Sequence, residues 1–235
     1  MKVKYSLMVS LVALITMQSL VSCVSRSSVV LGDGPHVSQR RPLSGFEKIS
    51  IAGSPTVYYT QADSFSVRVE GPEDVVGQIE TRVSDGELFI RNKGKLGIVN
   101  IVMADSDGLA VRVTSPDLIG VSLNGSGDFI SKGHVDTDHL TINLSGSGDI
   151  RFSDIVCDDC VTRLIGSGDI TIGRLECVKS VIGLTGSGDV EVQLKNVLQA
   201  DVSLVGSGDI KLSGDVRELN KSRTGSGDIT VLKKK

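Results

Sequence analysis

The chain has 235 residues, enough for one or two domains, and its 25 Lys and Arg nearly balance its 28 Asp and Glu. This balance excludes the strongly basic surface that nucleic-acid-binding proteins carry, so no nucleic-acid partner is expected. Trp is absent, and the chain has only three Tyr and five Phe. Exposed aromatic platforms for stacking a single-stranded nucleic acid are therefore not expected either.

The first 22 residues have the pattern of an export signal. Lys2 and Lys4 precede an apolar stretch, Leu7 to Ile15, which is too short to span a bilayer. The segment ends in Leu-Val-Ser-Cys, which resembles the lipobox of bacterial lipoproteins and predicts that Cys23 is lipidated. A chance cysteine near a secretory cleavage site is the alternative. Removal of residues 1–22 would change the formal charge from −3 to −5.

Residues 23–43 are rich in serine and lack periodicity, so they are predicted to be a flexible tether between the lipid and the domain. Val24 stands where an aspartate would retain a lipoprotein in the inner membrane, which favours the outer membrane. The predicted localisation is thus an outer-membrane lipoprotein of the cell envelope, bound to the membrane by its lipid. The sequence leaves open which side of that membrane the protein faces.

The tetrapeptide GSGD occurs six times, and its starts are 21, 20, 20, 20 and 19 residues apart. A fixed period near twenty residues indicates a solenoid. Apolar residues alternate on both sides of the motif, as in Ile142 and Leu144 before one copy and Ile150 and Phe152 after it. Alternation of period two predicts strands with one buried face. We therefore expect an all-β, right-handed parallel β-helix (β-solenoid) with coils of about 20 residues.

The motif itself is explained by a sharp corner that recurs at the same height in every coil. Glycine supplies a positive φ or allows close approach of the backbone, and Ser and Asp can bond turn amides. The aspartates should then form a column, and their mutual repulsion must be offset by turn N–H groups or by cations such as Ca²⁺. The residues of this column are Asp128, Asp149, Asp169, Asp189, Asp209 and Asp228. Calcium is the only cofactor considered for the chain, and the expectation is that there is none.

The N-terminal half carries a weaker form of the same pattern. Residues 49–57 look like a decayed copy of the repeat, with Pro55 and Thr56 in place of Gly and Asp. We predict irregular N-terminal β coils or a cap over residues 44–110, continuous with a regular β-helix over residues 111–235. A small β-sandwich cap is the alternative for the first of these segments.

Several residues resemble a known family from Phe46 onward. They are Phe46 with Ile49 and Ile51, the Val-Arg-Val-Glu-Gly segment at 67–71, Asp-Gly-Glu-Leu at 85–88, and the serial Gly-Ser-Gly-Asp turns. The chain is similar over residues 44–235 to the family described as putative autotransporter adhesin, head GIN domain. The resemblance implies a β-helix-like fold and a bacterial envelope protein, and it carries over no catalytic residue.

Cysteines and histidines are the remaining candidates for chemistry. Cys157 and Cys160 form a CxxC, but neither a βαβ context nor a fourth zinc ligand is evident. Cys157 and Cys177 lie at the same offset in successive coils, which predicts two small core residues that could form a disulfide in an exported protein. His134 and His139 are predicted to be solvated loop residues rather than a metal pair. No catalytic residue and no metal site are expected.

Three functions remain compatible with this pattern. The favoured one is a non-catalytic, lipid-anchored scaffold or adhesin-like protein that presents a β-helix surface to a protein or polysaccharide partner. The alternatives are a polysaccharide-acting β-helix enzyme and a self-associating structural module. Coils of about twenty residues leave little room for a substrate cleft, and the oligomeric state is left open.

Overall fold

The computed structural model describes residues 29–31, 34–93, 101–103 and 108–232. Almost all regular structure in these ranges is strand, as the alternating sequence predicts. No helix within the described residues has the length and apolar character needed to cross a membrane. The elements are β1 Val29–Leu31, β2 His36–Arg41, β3 Lys48–Gly53, β4 Thr56–Gln61, β5 Ser66–Pro72, α1 Glu73–Val76, β6 Ile79–Ser84, β7 Glu87–Asn92, β8 Ile101–Met103, β9 Ala110–Ser115, β10 Gly120–Gly125, β11 Asp128–Asp136, β12 His139–Gly146, β13 Asp149–Gly166, β14 Asp169–Gly186, β15 Val190–Gly206, β16 Ile210–Gly225 and β17 Ile229–Leu232.

The C-terminal half is a stack of parallel coils in register. Strands β13, β14, β15 and β16 each run through most of one coil, and each pairs in parallel with the next. Equivalent residues lie opposite each other, so that Ile150 pairs with Ile170 and Gly166 with Gly186. The predicted β-solenoid with coils of about 20 residues is confirmed.

The decayed repeat near residue 50 is also a coil of this stack. Strands β3 and β4 pair in parallel with β10 and β11, so Gly53 lies opposite Gly125 and Thr56 opposite Asp128. On their other side β3 and β4 pair in parallel with β7 and β9. The coils therefore do not follow one another in chain order. The coil built by residues 48–61 lies between strands β7 and β9, which come later in the sequence, and the regular stack, which begins with β10 and β11.

Antiparallel strands cover the N-terminal end of the stack. Strand β5 pairs antiparallel with β9 and with β2, and β6 pairs antiparallel with β7. Helix α1 is a single turn that buries Val75 and Val76. These strands close the first coil with antiparallel pairs, which the alternating pattern alone did not distinguish from further parallel coils.

Inward side chains of all coils form one continuous hydrophobic core. Its columns are made mainly of Val, Ile and Leu, which suit the pleated inner face of a strand. Three aromatic rings lie one above another within it, with Phe129 between Tyr59 at 6.0 Å and Phe152 at 5.2 Å. Adjacent coils thus share each buried layer, which explains why a solenoid is stable only as an array.

Tyr59 makes stability depend on pH in the alkaline range. Burial raises the pKa of Tyr59 from 10.0 to about 12, although its hydrogen bond with Ser115 acts in the opposite direction. Because the folded-state pKa is raised, this contribution to stability is complete below pH 10 and is lost as the pH rises towards 12.

We expect Tyr59→Phe to lose less stability than wild type between pH 10 and 12. At neutral pH its free energy of unfolding should be lower by about 1 kcal/mol, because the bond to Ser115 is gone. Urea denaturation at neutral and alkaline pH measures both quantities. Equal alkaline losses in the two proteins would contradict the assignment to Tyr59.

Candidate functional site: the GSGD edge

The GSGD turns line up along one corner of the solenoid, which we call the GSGD edge. It comprises the six GSGD tetrapeptides and residues 53–56, which occupy the same place in the coil before them. The first glycine of every turn has a positive φ, between +104° at Gly53 and +140° at Gly125. Side chains other than glycine rarely adopt this conformation, so the turn requires glycine there.

The second glycine of each turn is required for a different reason. A Cβ on Gly148, Gly168, Gly188 or Gly208 would lie under 3.0 Å from the carbonyl oxygen of the equivalent glycine in the preceding coil. The turns are also bonded to each other, because the Ser167 and Gly168 amides both donate to the Gly146 carbonyl, at 2.9 and 3.1 Å. Coils can therefore approach closely only where no side chain intervenes.

The aspartates of the turns form a hydrogen-bonded ladder. The Asp189 amide donates to the Asp169 carboxylate at 2.9 Å, and the Asp209 amide donates to the Asp189 carboxylate at the same distance. The same bond joins Asp169 to Asp149 and Asp228 to Asp209. Each of these four carboxylates thus accepts the N–H group of the next aspartate, which offsets the repulsion between neighbouring charges.

We expect Asp169→Ala to lower the free energy of unfolding by about 1 kcal/mol, because the Asp189 amide loses its acceptor. Asp169→Asn should cost less than half of that, since its amide oxygen can still accept the bond and one repelling charge is removed. Urea denaturation of the three proteins checks this order. Equal losses in the two variants would show that the charge, not the acceptor, matters.

Cations neutralise parts of the ladder. Arg223 Nη1 lies 2.6 Å from Asp228 Oδ1, and Lys211 Nζ lies 3.7 Å from Asp189 Oδ2. Among the described residues no group of three or more His, Cys, Asp or Glu side chains is arranged to hold a metal ion. Calcium binding at Asp128, Asp149, Asp169, Asp189, Asp209 and Asp228 stays a prediction.

The surface of the GSGD edge is small, polar and regular. The serine of every GSGD turn is exposed, and so is the residue just before each turn. At that preceding position Ile165 and Val205 are 58% and 49% exposed, with Thr185 between them. The edge therefore offers a row of hydroxyl groups beside a short row of β-branched side chains.

The three described cysteines cluster in two adjacent coils. All three are buried free thiols, and Cys157 lies directly opposite Cys177 on the neighbouring strand. Hydrogen bonds from Cys160 and Cys177 lower the pKa of Cys157, and these contacts and burial raise the pKa of the other two. The Cys157–Cys177 disulfide stays a prediction, which mass spectrometry with and without a reductant checks.

The two central histidines lie in β11 and β12, and each contacts an aspartate of the next coil. His134 Nδ1 lies 2.8 Å from Asp154 Oδ2, and His139 Nδ1 lies 3.1 Å from Asp159 Oδ2. Both rings are largely exposed, and their partners lie in the next coil rather than on each other. Sequence reasoning placed these histidines in loops and did not find the pairs, because coil stacking brings together residues about twenty positions apart.

A polar network extends from the first of these pairs along the same side. Arg174 Nε lies 2.7 Å from Asp154 Oδ1, and Asn196 donates to Glu176 Oε1 at 3.0 Å. The bond from Asn196 lowers the pKa of Glu176, and Lys195 at 3.5 Å acts in the same direction. Opposite charges face each other along this network, and its arrangement is that of a structural surface network.

Some predicted functional residues lie outside the described ranges. They are the export signal over residues 1–22 and the lipidation site Cys23. Most of the predicted tether up to residue 33 also lies outside, whereas β2 lies within the tether's predicted limits and belongs to the sheet.

Comparison with known proteins agrees with this architecture. No curated protein is similar enough in sequence to be counted as a relative. The solved structure of a putative adhesin from Bacteroides fragilis has 22% sequence identity and a TM-score of 0.66. The match covers 87% of this chain and 100% of that chain. A putative adhesin from Parabacteroides distasonis has 17% identity and a TM-score of 0.68, covering 88% and 100%. A putative lipid binding protein from the same organism has 21% identity and a TM-score of 0.60, covering 89% and 100%.

These structures share the fold of the chain. The family model described as "Putative auto-transporter adhesin, head GIN domain" matches residues 45–176 and 163–233, which together cover β3 to β17. The chain therefore belongs to the putative auto-transporter adhesin, head GIN domain family.

Proposed function

We propose that this protein is a non-catalytic, adhesin-like lipoprotein of the outer membrane that presents its solenoid to a macromolecular partner. Membership of an adhesin family supports the role, and the sequence of the first 23 residues supports the lipid anchor. The observation that carries the proposal is the regular surface of the GSGD edge, where each described coil turns within four residues. Such a surface suits contact with another large molecule.

The anchor is tested by Cys23→Ser in the native bacterium. Wild-type protein should sediment with membranes and incorporate a radiolabelled fatty acid, whereas Cys23→Ser should do neither, because the lipidated sulfur is absent. Ser25→Ala is the matched control, since it changes a small neighbour and leaves the cysteine in place. A wild-type protein without lipid, or a membrane-bound Cys23→Ser variant, would contradict the anchor.

Exposure on the cell surface, which an adhesive role outside the cell requires, is tested separately by proteolysis of intact cells. An adhesin-like protein should be cut from the surface by an added protease that does not enter the cell. Protection in intact cells and cleavage after outer-membrane permeabilisation would place the solenoid in the periplasm and contradict an adhesive role outside the cell.

A further inference from the structure

Three arginines lie side by side on the outer face of the N-terminal part of the sheet. Arg40 in β2 lies directly opposite Arg68 in β5, and Arg68 lies directly opposite Arg112 in β9. All three side chains are exposed, and we call them the arginine row. Strand β2 is at one end of the strand order, so the row runs across three strands to an edge of the sheet.

The strand register brings these like charges together at a cost in stability. Residues directly opposite each other in antiparallel strands have Cβ atoms about 4.5–5.5 Å apart, and like charges at this separation destabilise the pair. The strands cannot slide to separate them, because a shift by one residue would turn the buried Val67, Val69 and Val111 towards solvent. The row is therefore a fixed concentration of positive charge.

One carboxylate offsets part of this charge. Glu70 Oε2 lies 2.7 Å from Arg112 Nε, so the row and Glu70 together have three Arg against one Glu, a net charge of +2. The side chains of Arg40 and Arg68 have neither an ion pair nor a hydrogen bond within the described part of the chain. Two adjacent guanidinium groups thus remain without a counter-charge.

Other acidic residues near the row lie beyond the ends of β5. Asp63 is in the connection between β4 and β5, and Glu73 and Asp74 begin α1, which follows β5. Each of them is five or more residues along the chain from Arg68, and among the described ion pairs none joins them to the row. They weaken the positive potential of this face without neutralising the two free arginines.

The chemistry of the free pair is that of an anion site. Tyr58 lies directly opposite Arg112, and the Arg112 guanidinium lies over its ring, 5.3 Å from the centroid. Arg112 is thus held by Tyr58 and Glu70, whereas the donors of Arg40 and Arg68 stay available. Guanidinium groups present planar, forked N–H donors that match the oxygens of a phosphate group.

The place of the row in the chain favours membrane phosphate as the anion. Twelve residues separate Cys23 from His36, where β2 begins, so the two ends of this segment can be at most about 45 Å apart. A lipid on Cys23 therefore keeps β2 in the vicinity of the membrane surface. Exposed arginines held there are attracted to the phosphate groups of anionic lipids.

We propose that the arginine row binds the phosphate groups of anionic membrane lipids and docks the N-terminal part of the sheet on the bilayer. Arg40 and Arg68 donate N–H groups to phosphate oxygens, and the negative charge removes the repulsion between them. The inference rests on the proposed lipid anchor. It adds a second contact with the membrane, which fixes the orientation of the solenoid at the surface.

The test uses the full chain, purified in mild detergent and reconstituted into vesicles of brominated phosphatidylcholine, which quenches Trp fluorescence at the bilayer. The chain has no Trp, so Thr60→Trp places a single reporter at an exposed position two residues from Tyr58 along β4. Replacing about one third of the lipid by phosphatidylglycerol should strengthen quenching about twofold or more. Thr224→Trp, at an exposed position in β16, should be quenched equally in both kinds of vesicle.

Charge reversal in the row should remove the effect of phosphatidylglycerol. In the Thr60→Trp protein, Arg40→Glu with Arg68→Glu should reduce quenching to its value in neutral vesicles. The control, Arg163→Glu with Arg217→Glu, makes the same charge change at two exposed arginines of the regular coils and should preserve the effect. Arg68→Gln alone should weaken the effect without lowering the urea midpoint, because it removes two like-charge contacts. A structural role of Arg68 would instead lower that midpoint.

Three results would overturn the proposal. They are equal quenching in neutral and anionic vesicles, an undiminished effect in the Arg40→Glu, Arg68→Glu protein, and loss of the effect in millimolar inorganic phosphate but not in sodium chloride of equal ionic strength. The last would assign the row to a soluble phosphate. Mass spectrometry of the purified chain shows whether Cys23 carries lipid. A chain without lipid contradicts the proposed anchor, while its quenching in anionic vesicles still tests the arginine row.

Discussion

Replacing Gly168 by alanine is expected to lower the free energy of unfolding by about 3 kcal/mol or more. The new Cβ would lie under 3.0 Å from the Gly148 carbonyl oxygen and 3.0 Å from the Ser147 carbonyl carbon. These atoms belong to a coil fixed by its own hydrogen bonds, so they cannot move aside as a flexible side chain would. Overpacking against a rigid neighbour usually costs about 1–3 kcal/mol, and the loss of contact between two coils adds to that cost.

Gly183→Ala is the matched control for Gly168→Ala. A Cβ at Gly183 would meet only the Ser203 hydroxyl oxygen, at the ordinary contact distance of 3.5 Å. Since glycine is unfavourable inside a strand, this variant should change stability by less than about 1 kcal/mol and could increase it. Urea denaturation followed by circular dichroism measures both variants. Similar effects at the two positions would mean that coil separation is not fixed at the GSGD edge.

This contrast bears on function because the GSGD edge is an array. If one turn is displaced, the aspartate ladder breaks at that coil, since each amide donates to the carboxylate of the coil before it. The exposed row of turn serines and the exposed row of residues just before the turns shift with it. A partner that contacts several coils at once would then lose part of its contact surface, so stability and binding should fall together in Gly168→Ala.

The period of the sequence was enough to predict the stacked coils. Each coil repeats one corner that requires two glycines. Gly166 has a positive φ, and both Gly166 and Gly168 lie too close to the preceding coil to carry a Cβ. The alignment of like residues then follows from the spacing of about twenty. Even the decayed copy near Gly53 could be found, because its inward residues keep the alternation of the regular coils.

The N-terminal cap could not be predicted in the same way. Alternating apolar residues show that Val67 and Val69 face a core, but they do not show whether the neighbouring strand runs parallel or antiparallel. Strand direction depends on long connections, here residues 62–109, whose path is set by packing in three dimensions. The position of β3 and β4 between β7 and β9 on one side and β10 and β11 on the other depends on that path.

The candidate site was predicted to a similar extent. The aspartate column and the use of turn amides followed from the motif, whereas the donor, the amide of the next aspartate, required the structure. The unpaired outer side of β16 was not predicted, although the charges of Lys221 and Arg223 are visible in the sequence. Their meaning depends on register, because only pairing with Val202 and Leu204 shows that they end core columns.

Replacing Phe129 by alanine is the second change with a large expected effect. Phe129 is fully buried, and its ring lies between those of Tyr59 and Phe152, which come from the two adjacent coils. Truncation removes both ring contacts and leaves a cavity between parallel strands that are held apart by their hydrogen bonds. Such a cavity collapses poorly, so the free energy of unfolding should fall by about 3–5 kcal/mol.

Phe89→Ala separates this cavity from the simple loss of an aromatic residue. Phe89 lies on the outer face of β7, half-buried beneath the Arg82 guanidinium at 4.0 Å. Its truncation leaves no enclosed space, so it should cost about 1 kcal/mol, mainly from the lost cation–π contact and surface burial. Urea denaturation of both variants gives the comparison. If Phe129→Ala were as mild as Phe89→Ala, the coils would not share their buried layers. The cooperative array that gives the GSGD edge its shape would then be wrong.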